Sequence, residues 1–361
     1  MKISKPTLLL DKEKCLANIK MMVEKAKLYN LKFRPHFKTH QSAKIGKYFK
    51  DFGVNAITVS SVQMAEYFAR NDWKDITIAF PINLLEIERI NFLAQKIELN
   101  ILACNIESIN FLKTNLKYSV GVFIKIDTGY HRAGIQSENT EEINSLIETI
   151  SKNSLLKFKG FLAHDGHTYN AKTKQEIIEI RSQSNENLRL LKKNFINDFP
   201  ELIISVGDTP SCSIAEDFDG IDEIRPGNFV FYDLMQYQLG SCKIENIAVV
   251  LACPVVDKRI DRNEIIIYGG GTHLSTESIV NFQNQQIFGV PILISQKGWS
   301  KPLENSYVSS LSQEHGIVKL NSQIIDEINV GDVIGIIPVH SCLTVNLMKD
   351  LVEISELENN V

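Results

Sequence analysis

The chain has 361 residues, 44% of them hydrophobic and 23% charged, a globular composition too long for one ordinary core. A net charge of −4 argues against nucleic acid as a partner, and no run approaches the roughly 20 apolar residues that span a bilayer. The six cysteines are scattered without a C-x-x-C pair, and the opening MKISKPTLLLDKEK meets charge at Asp11 before a signal core can form. That usage suits a reducing compartment, and the cytoplasm is the expected location.

From residue 7 to about 232, short β-rich runs alternate with amphipathic segments. The predicted strands are Thr7–Leu10, Leu31–Arg34, Ala56–Ser60, Ile76–Ala79, Leu99–Ala103, Val120–Ile126, Phe158–Ala163 and Ile203–Val206. Helical spacing at i, i+3, i+4 runs between them, over Leu16–Tyr29, Val62–Arg70, Leu84–Gln95 and Gln175–Phe195. Eight such units predict an α/β fold with an N-terminal (β/α)8, TIM-like barrel, although a doubly wound sheet gives the same alternation. After Asp233 the helical period fades. The runs Asn246–Val256, Asn263–Tyr268, Phe288–Ser295, Gly316–Leu320 and Asp332–Val339 predict a mostly-β domain. The expected domains are 1–238 and 239–361, with residues 1–12 able to pair with the second.

Barrel sites are built at the C-terminal ends of strands, and those ends are rich in reactive side chains. They carry Arg34-Pro35-His36-Phe37-Lys38-Thr39-His40, Lys125–Arg132, His164–Tyr169 and Gly207–Ser211. Lys38 stands out. Flanked by Arg34, His36 and His40 it sits in a positive field that would lower an ammonium pKa, although a surface lysine in a basic turn reads the same. The turns Gly207–Ser211 and Arg225–Asn228 suit a phosphate cradle or an ordinary pair of loops. His340-Ser341-Cys342 places two metal-type ligands at i and i+2 on an expected extended segment, where a buried histidine and an inert cysteine are the plain alternative. Gly269–Gly271 lacks the spacing of a dinucleotide loop.

Taken together, KPTLLLD, RPHFKTH, KIDTGYHRAGI, HDGHTY, VGDTPS, EIRPGNFVFYD, SQEHGIV and PVHSCLTVN form an ordered set from Lys5 to Asn346. By these the chain resembles the D-threonine aldolase and eukaryotic-type D-serine dehydratase family of alanine-racemase-fold pyridoxal-phosphate enzymes. The resemblance implies pyridoxal 5'-phosphate on Lys38, a small D-amino acid substrate and a homodimer. It implies catalytic roles for Lys38, His36, Arg132 and Tyr169, and further cofactor contacts from His164, Tyr169, Gly207, Thr209, Ser211, Gly227, Asn228 and Tyr232. It also places a divalent metal on His340 and Cys342, zinc by the preference of thiolate, with manganese or magnesium as alternatives. The implied reaction is β-elimination from a D-β-hydroxy amino acid. Retro-aldol cleavage, racemisation and a non-catalytic cofactor-binding protein are the other readings. Two departures mark a subgroup. Tyr268–Ser275 stands where the family has a D-x-G-x-K-x-x-S segment, and Gln41 stands where a lysine is usual.

Overall fold

The computed structural model describes residues 3–295 and 298–357. The chain divides into two compact units, Lys20–Gly227 and, together, Met1–Ile19 with Asn228–Val361. The expected boundary at 238/239 therefore lies inside the second unit. Among the described residues no helix is long and apolar enough to cross a membrane.

In chain order the elements begin with β1 (Thr7–Leu10), α1 (Lys12–Leu28), β2 (Lys32–Phe33), α2 (Ala43–Asp51), β3 (Ala56–Val59) and α3 (Val62–Arg70). They continue with β4 (Asp75–Pro81), α4 (Ile87–Ala94), β5 (Glu98–Ala103), α5 (Ile106–Asn115), β6 (Val120–Asp127) and α6 (Thr140–Ser151). β7 (Leu156–Leu162), α7 (Lys174–Phe195), β8 (Ile203–Val206), α8 (Thr209–Ile214) and β9 (Glu223–Ile224) follow, and the elements from β2 to β9 belong to the first unit. Its eight parallel strands run in the order β2-β9-β8-β7-β6-β5-β4-β3. A single bridge between His36 and Thr58 closes the ring, with Phe37 N–H on the Thr58 carbonyl at 2.8 Å and Thr58 N–H on the Pro35 carbonyl at 2.9 Å.

The strands are nearly continuous apolar runs, as parallel strands buried on both faces require. β6, VGVFIKID, is buried over all but its last residue. Leu102, Phe123 and Leu162 form one buried cluster, with Ala79 and Ile203 packed against it. Several strand-to-helix loops end on a capping side chain: Ser42 accepts from Ile45 N–H, Ser61 from Met64 N–H and Asp208 from Ser211 N–H. Such caps fix where each helix leaves its strand, and hence where each loop residue stands.

The eight-stranded barrel holds, but its membership differs from the expectation. Thr7–Leu10 is not a barrel strand: it pairs antiparallel with Val249–Arg259, Leu8 opposite Leu251. The missing barrel strand is β9, two residues long, pairing with both β2 and β8. Pro226 and the turn after it hide β9 in the sequence, because proline cannot donate to a ladder.

The second unit is built on antiparallel strands. Their order is Gly298–Trp299, Gly289–Ser295, Val333–Pro338, Val249–Arg259, Glu264–Tyr268, His315–Lys319 and Tyr307–Leu311. β1 lies against Val249–Arg259 and takes Val352–Glu353 on its other side. The helix Ser341–Met348 follows the strand Val333–Pro338 after two residues.

Candidate active site

In the barrel unit the expected site residues come together on the loops after β2, β6, β7, β8 and β9. Lys38 follows β2 and is exposed, and its backbone N–H lies 3.3 Å from His36 Nδ1. That contact makes Nδ1 the acceptor and puts the neutral ring's proton on Nε2. His164 after β7 is the opposite tautomer: its Nδ1 is hydrogen-bonded to the Gly207 carbonyl, which can only accept. Burial, then the charges of Lys38 and Arg225 among others, hold His36 well below the ordinary histidine range. Burial does the same for His164, aided by Lys38, Arg132 and Arg225 against the Gly207 hydrogen bond. Both imidazoles are neutral at physiological pH.

The residues the sequence suggested as the source of a positive field at Lys38 are engaged elsewhere. Arg34 is paired inside the barrel, Nε to Glu223 Oε2 at 2.8 Å and Nη1 to Asp75 Oδ1 at 2.5 Å. His40 is buried against Phe37, Phe49 and Phe68, and burial lowers its pKa to about 3. The cations that reach the neighbours of Lys38 are Arg225, acting on His36 and His164, and Arg132, acting on His164, and sequence reasoning left Arg225 inside a turn. Its Nε donates to Ser205 Oγ and its Nη2 to the Ala163 carbonyl, each at 2.6 Å. Two buried residues flank it on β8 and β9, and the alternation Glu223, Arg225 was the available signal. Arg132, on the loop after β6, is exposed and lies over the Tyr130 ring, 5.0 Å from its centroid. Asp127 shapes that loop by accepting the N–H groups of Gly129 and His131, both at 3.0 Å.

The turn after β8 has the makings of an anion cradle. Thr209 Oγ1 and Ser211 Oγ, in the first turn of α8, are buried and have no hydrogen-bond partner among the described residues. Thr209 N–H points at the Tyr169 hydroxyl, 3.4 Å away. Gly207 and Gly227 are needed for close approach. A Cβ on Gly207 would stand 2.7 Å from the Arg225 carbonyl carbon, and one on Gly227 2.8 Å from the His36 carbonyl oxygen.

Asn228, Tyr232, His340 and Cys342 belong to the second unit. Asn228 Nδ2 lies 2.6 Å from Asp233 Oδ2, 3.2 Å from Ser341 Oγ and 3.5 Å from Cys342 Sγ. Tyr232 is buried, with its backbone in the left-handed region at φ 51°. His340 and Cys342 are expected on one extended segment, but only His340 has extended backbone. His340 is the N-cap of the helix Ser341–Met348 and Cys342 lies in its first turn. Asp233 explains the turn, accepting Ser341 N–H at 2.9 Å from a position 108 residues away in sequence. The two side chains still meet in a hydrogen bond. Burial resists charging His340, but Cys342, then Asp233 and Glu277, outweigh it and raise its pKa to about 9. Among the described residues there is no cluster of three or more His, Cys, Asp or Glu side chains placed to hold a metal.

A closed parallel barrel with an added antiparallel β unit, and a lysine and hydroxyl-lined turn at the strand ends, defines the alanine racemase-like class. Residues 10–234 match the family described as alanine racemase, N-terminal domain, and residues 248–354 match a serine dehydratase domain. The chain belongs to this alanine racemase-fold family. It is 31% identical to a D-serine dehydratase of Dictyostelium discoideum, over 91% of this chain and 88% of that one. A D-threonine aldolase of an Arthrobacter species is 22% identical over 98% of this chain and 90% of its own. The solved D-threo-3-hydroxyaspartate dehydratase of Delftia sp. HT23 shares the fold, with a TM-score of 0.89 at 22% identity, covering 98% and 95% of the two chains.

Proposed function

We propose that the chain is a pyridoxal-phosphate-dependent lyase that converts a small D-β-hydroxy amino acid, D-serine in the first instance, to a 2-oxo acid and ammonia. The observation that carries this reading is the pair of buried, unpartnered hydroxyls on Thr209 and Ser211, in a barrel that also carries Lys38. A buried hydroxyl without a partner is costly, and a phosphate offers both of these an acceptor, while Lys38 supplies the amine for covalent attachment. The residues therefore fit the group. Thr209, Ser211 and the glycine-opened turns would hold the phosphate end, and Lys38 the aldehyde carbon. Once bound, pyridoxal phosphate supplies an electron sink for negative charge developing at the substrate Cα.

The chain's own residues handle binding and protons. Lys38 is the base placed to take the Cα proton. His36 and His164, neutral and of opposite tautomer, present one N–H donor and one acceptor nitrogen without adding charge. Arg132, exposed on the loop after β6, suits the substrate carboxylate or the cofactor's phenolic oxygen, and Tyr169 steadies the Thr209 end. His340 and Cys342 pair an imidazole nitrogen with a sulfur, a donor set suited to zinc, and zinc held there would act as a Lewis acid toward the β-hydroxyl. The kinship with a D-serine dehydratase and the cysteine in this pair favour elimination over retro-aldol cleavage. A cytoplasmic location, supported by six free cysteines, and a homodimer belong to the same reading.

Product analysis with D-threonine decides the reaction. The cofactor-loaded protein is expected to release 2-oxobutanoate and ammonia. Glycine and acetaldehyde would instead make it an aldolase, and no turnover of any D-amino acid would leave a cofactor-binding protein.

A further inference from the structure

Asp208 sits at the head of the hydroxyl-lined turn and has no part in the function proposed above. It is 2% exposed and caps α8, its Oδ2 accepting Ser211 N–H at 2.8 Å. The same oxygen lies 3.0 Å from Thr168 Oγ1, which in turn lies 2.7 Å from the Asp165 carbonyl oxygen. A hydroxyl has one proton to donate, and a carbonyl has none to return. The shorter contact takes the Thr168 proton. The contact with Asp208 is then a hydrogen bond only when Asp208 carries a proton of its own. The second oxygen agrees: Asp208 Oδ1 is buried and has no partner among the described residues. A neutral acid's carbonyl tolerates that far better than a carboxylate does.

The surroundings point the same way. Asp165, 1% exposed, faces Asp208 from the loop after β7, Arg181 from α7, Cys212 from α8 and Arg225 from beyond β9. Asp165 accepts the Thr128 and Ser184 hydroxyls on Oδ1 at 2.6 and 2.7 Å, and its Oδ2, without a hydrogen bond among the described residues, lies 3.6 Å from Arg181 Nη1. Burial holds the Cys212 thiol protonated, so it adds no charge. Burial, then the charge of Asp165, raises the Asp208 pKa. A carboxylate at this position would also face the phosphate that Thr209 and Ser211 are proposed to hold.

We propose that Asp208 is a positioning residue kept as a neutral carboxylic acid, whose proton is donated to Thr168 and pins the HDGHTY loop to the DTPS turn without bringing negative charge to the anion site. The protonation stands on geometry alone; its link to anion binding rests on the proposed function. If the two are linked, cofactor affinity falls with rising pH by up to about tenfold per unit once the acid ionises in the unbound state.

Difference infrared spectroscopy on the full chain, wild type minus Asp208→Asn, tests the protonation, and the pyridoxal phosphate dissociation constant of both at pH 6 and 8 tests the link. The expected spectrum at pH 6 has a carboxylic-acid carbonyl band that the variant lacks. The wild type's loss of affinity from pH 6 to 8 should exceed the variant's by at least about fivefold. Absence of the band from pH 5 to 7 overturns the proposal, and equal pH slopes overturn the link. A band without cofactor binding by either protein supports the neutral acid and overturns the function proposed above. Should Asp208→Asn fail to fold, Thr168→Val takes its place. Removing the hydroxyl partner should shift the band, and an unshifted band overturns the proposal.

Discussion

The barrel's candidate site draws on five loops, those after β2, β6, β7, β8 and β9, whereas the second unit's candidate metal pair comes from the tripeptide His340-Ser341-Cys342. In the barrel the loops after β6, β7, β8 and β9 are placed by buried polar contacts to one another and to adjoining elements: Asp165 ties to Thr128 and Ser184, Asp208 to Thr168 and Ser211, Arg225 to Ser205 and Ala163. In the tripeptide one buried carboxylate, Asp233, does the positioning by accepting both the N–H and the hydroxyl of Ser341. A site spread over many strands depends on supports deep in the fold. A local pair depends on its own turn and one anchor.

The contrast breaks most sharply at Lys38. Lys38→Ala should remove the cofactor's visible absorbance and lower turnover by roughly 10³-fold or more, with the fold intact by circular dichroism. A retained band would take Lys38 out of its role. The supports come next. Glu223→Gln removes a charge from the buried contact with Arg34 and should cost about 3 kcal/mol in urea unfolding. An unchanged midpoint would mean that Asp75 alone suffices for Arg34. Cys342→Ala should lower bound zinc by elemental analysis and turnover by roughly 10–100-fold, while the barrel's absorbance band persists. Unchanged metal content would remove the pair from that role. The smallest effect belongs to one hydroxyl of five loops: Ser211→Ala should weaken pyridoxal phosphate by about tenfold, near 1.4 kcal/mol, by fluorescence titration.

What was legible in the sequence follows the same division. Contiguous signals carried through: the long apolar strands and the helix over Val62–Arg70. What failed to show was set by distant partners. Arg34 reads as an unpaired cation near Lys38, yet its charge is matched by Glu223, 189 residues on. His40 reads as a second cation, yet three phenylalanines around it keep it neutral. β9 is too short for any period to reveal, and β1 has a barrel-like pattern because all four of its residues are buried. The helical start at His340 depends on Asp233, which no local spacing announces.

The His36–Thr58 bridge has one more consequence. It is the narrowest hydrogen-bonded seam in the ring, and the residue two positions past it is Lys38. Opening of the barrel at this seam would therefore displace Lys38 as well. Anything covalently held on Lys38 and anchored across the ring at Thr209 would act as a clasp on that seam. Its imprint should be found in hydrogen exchange, as slowed exchange at the Phe37 and Thr58 amides, before any change in the global melting temperature.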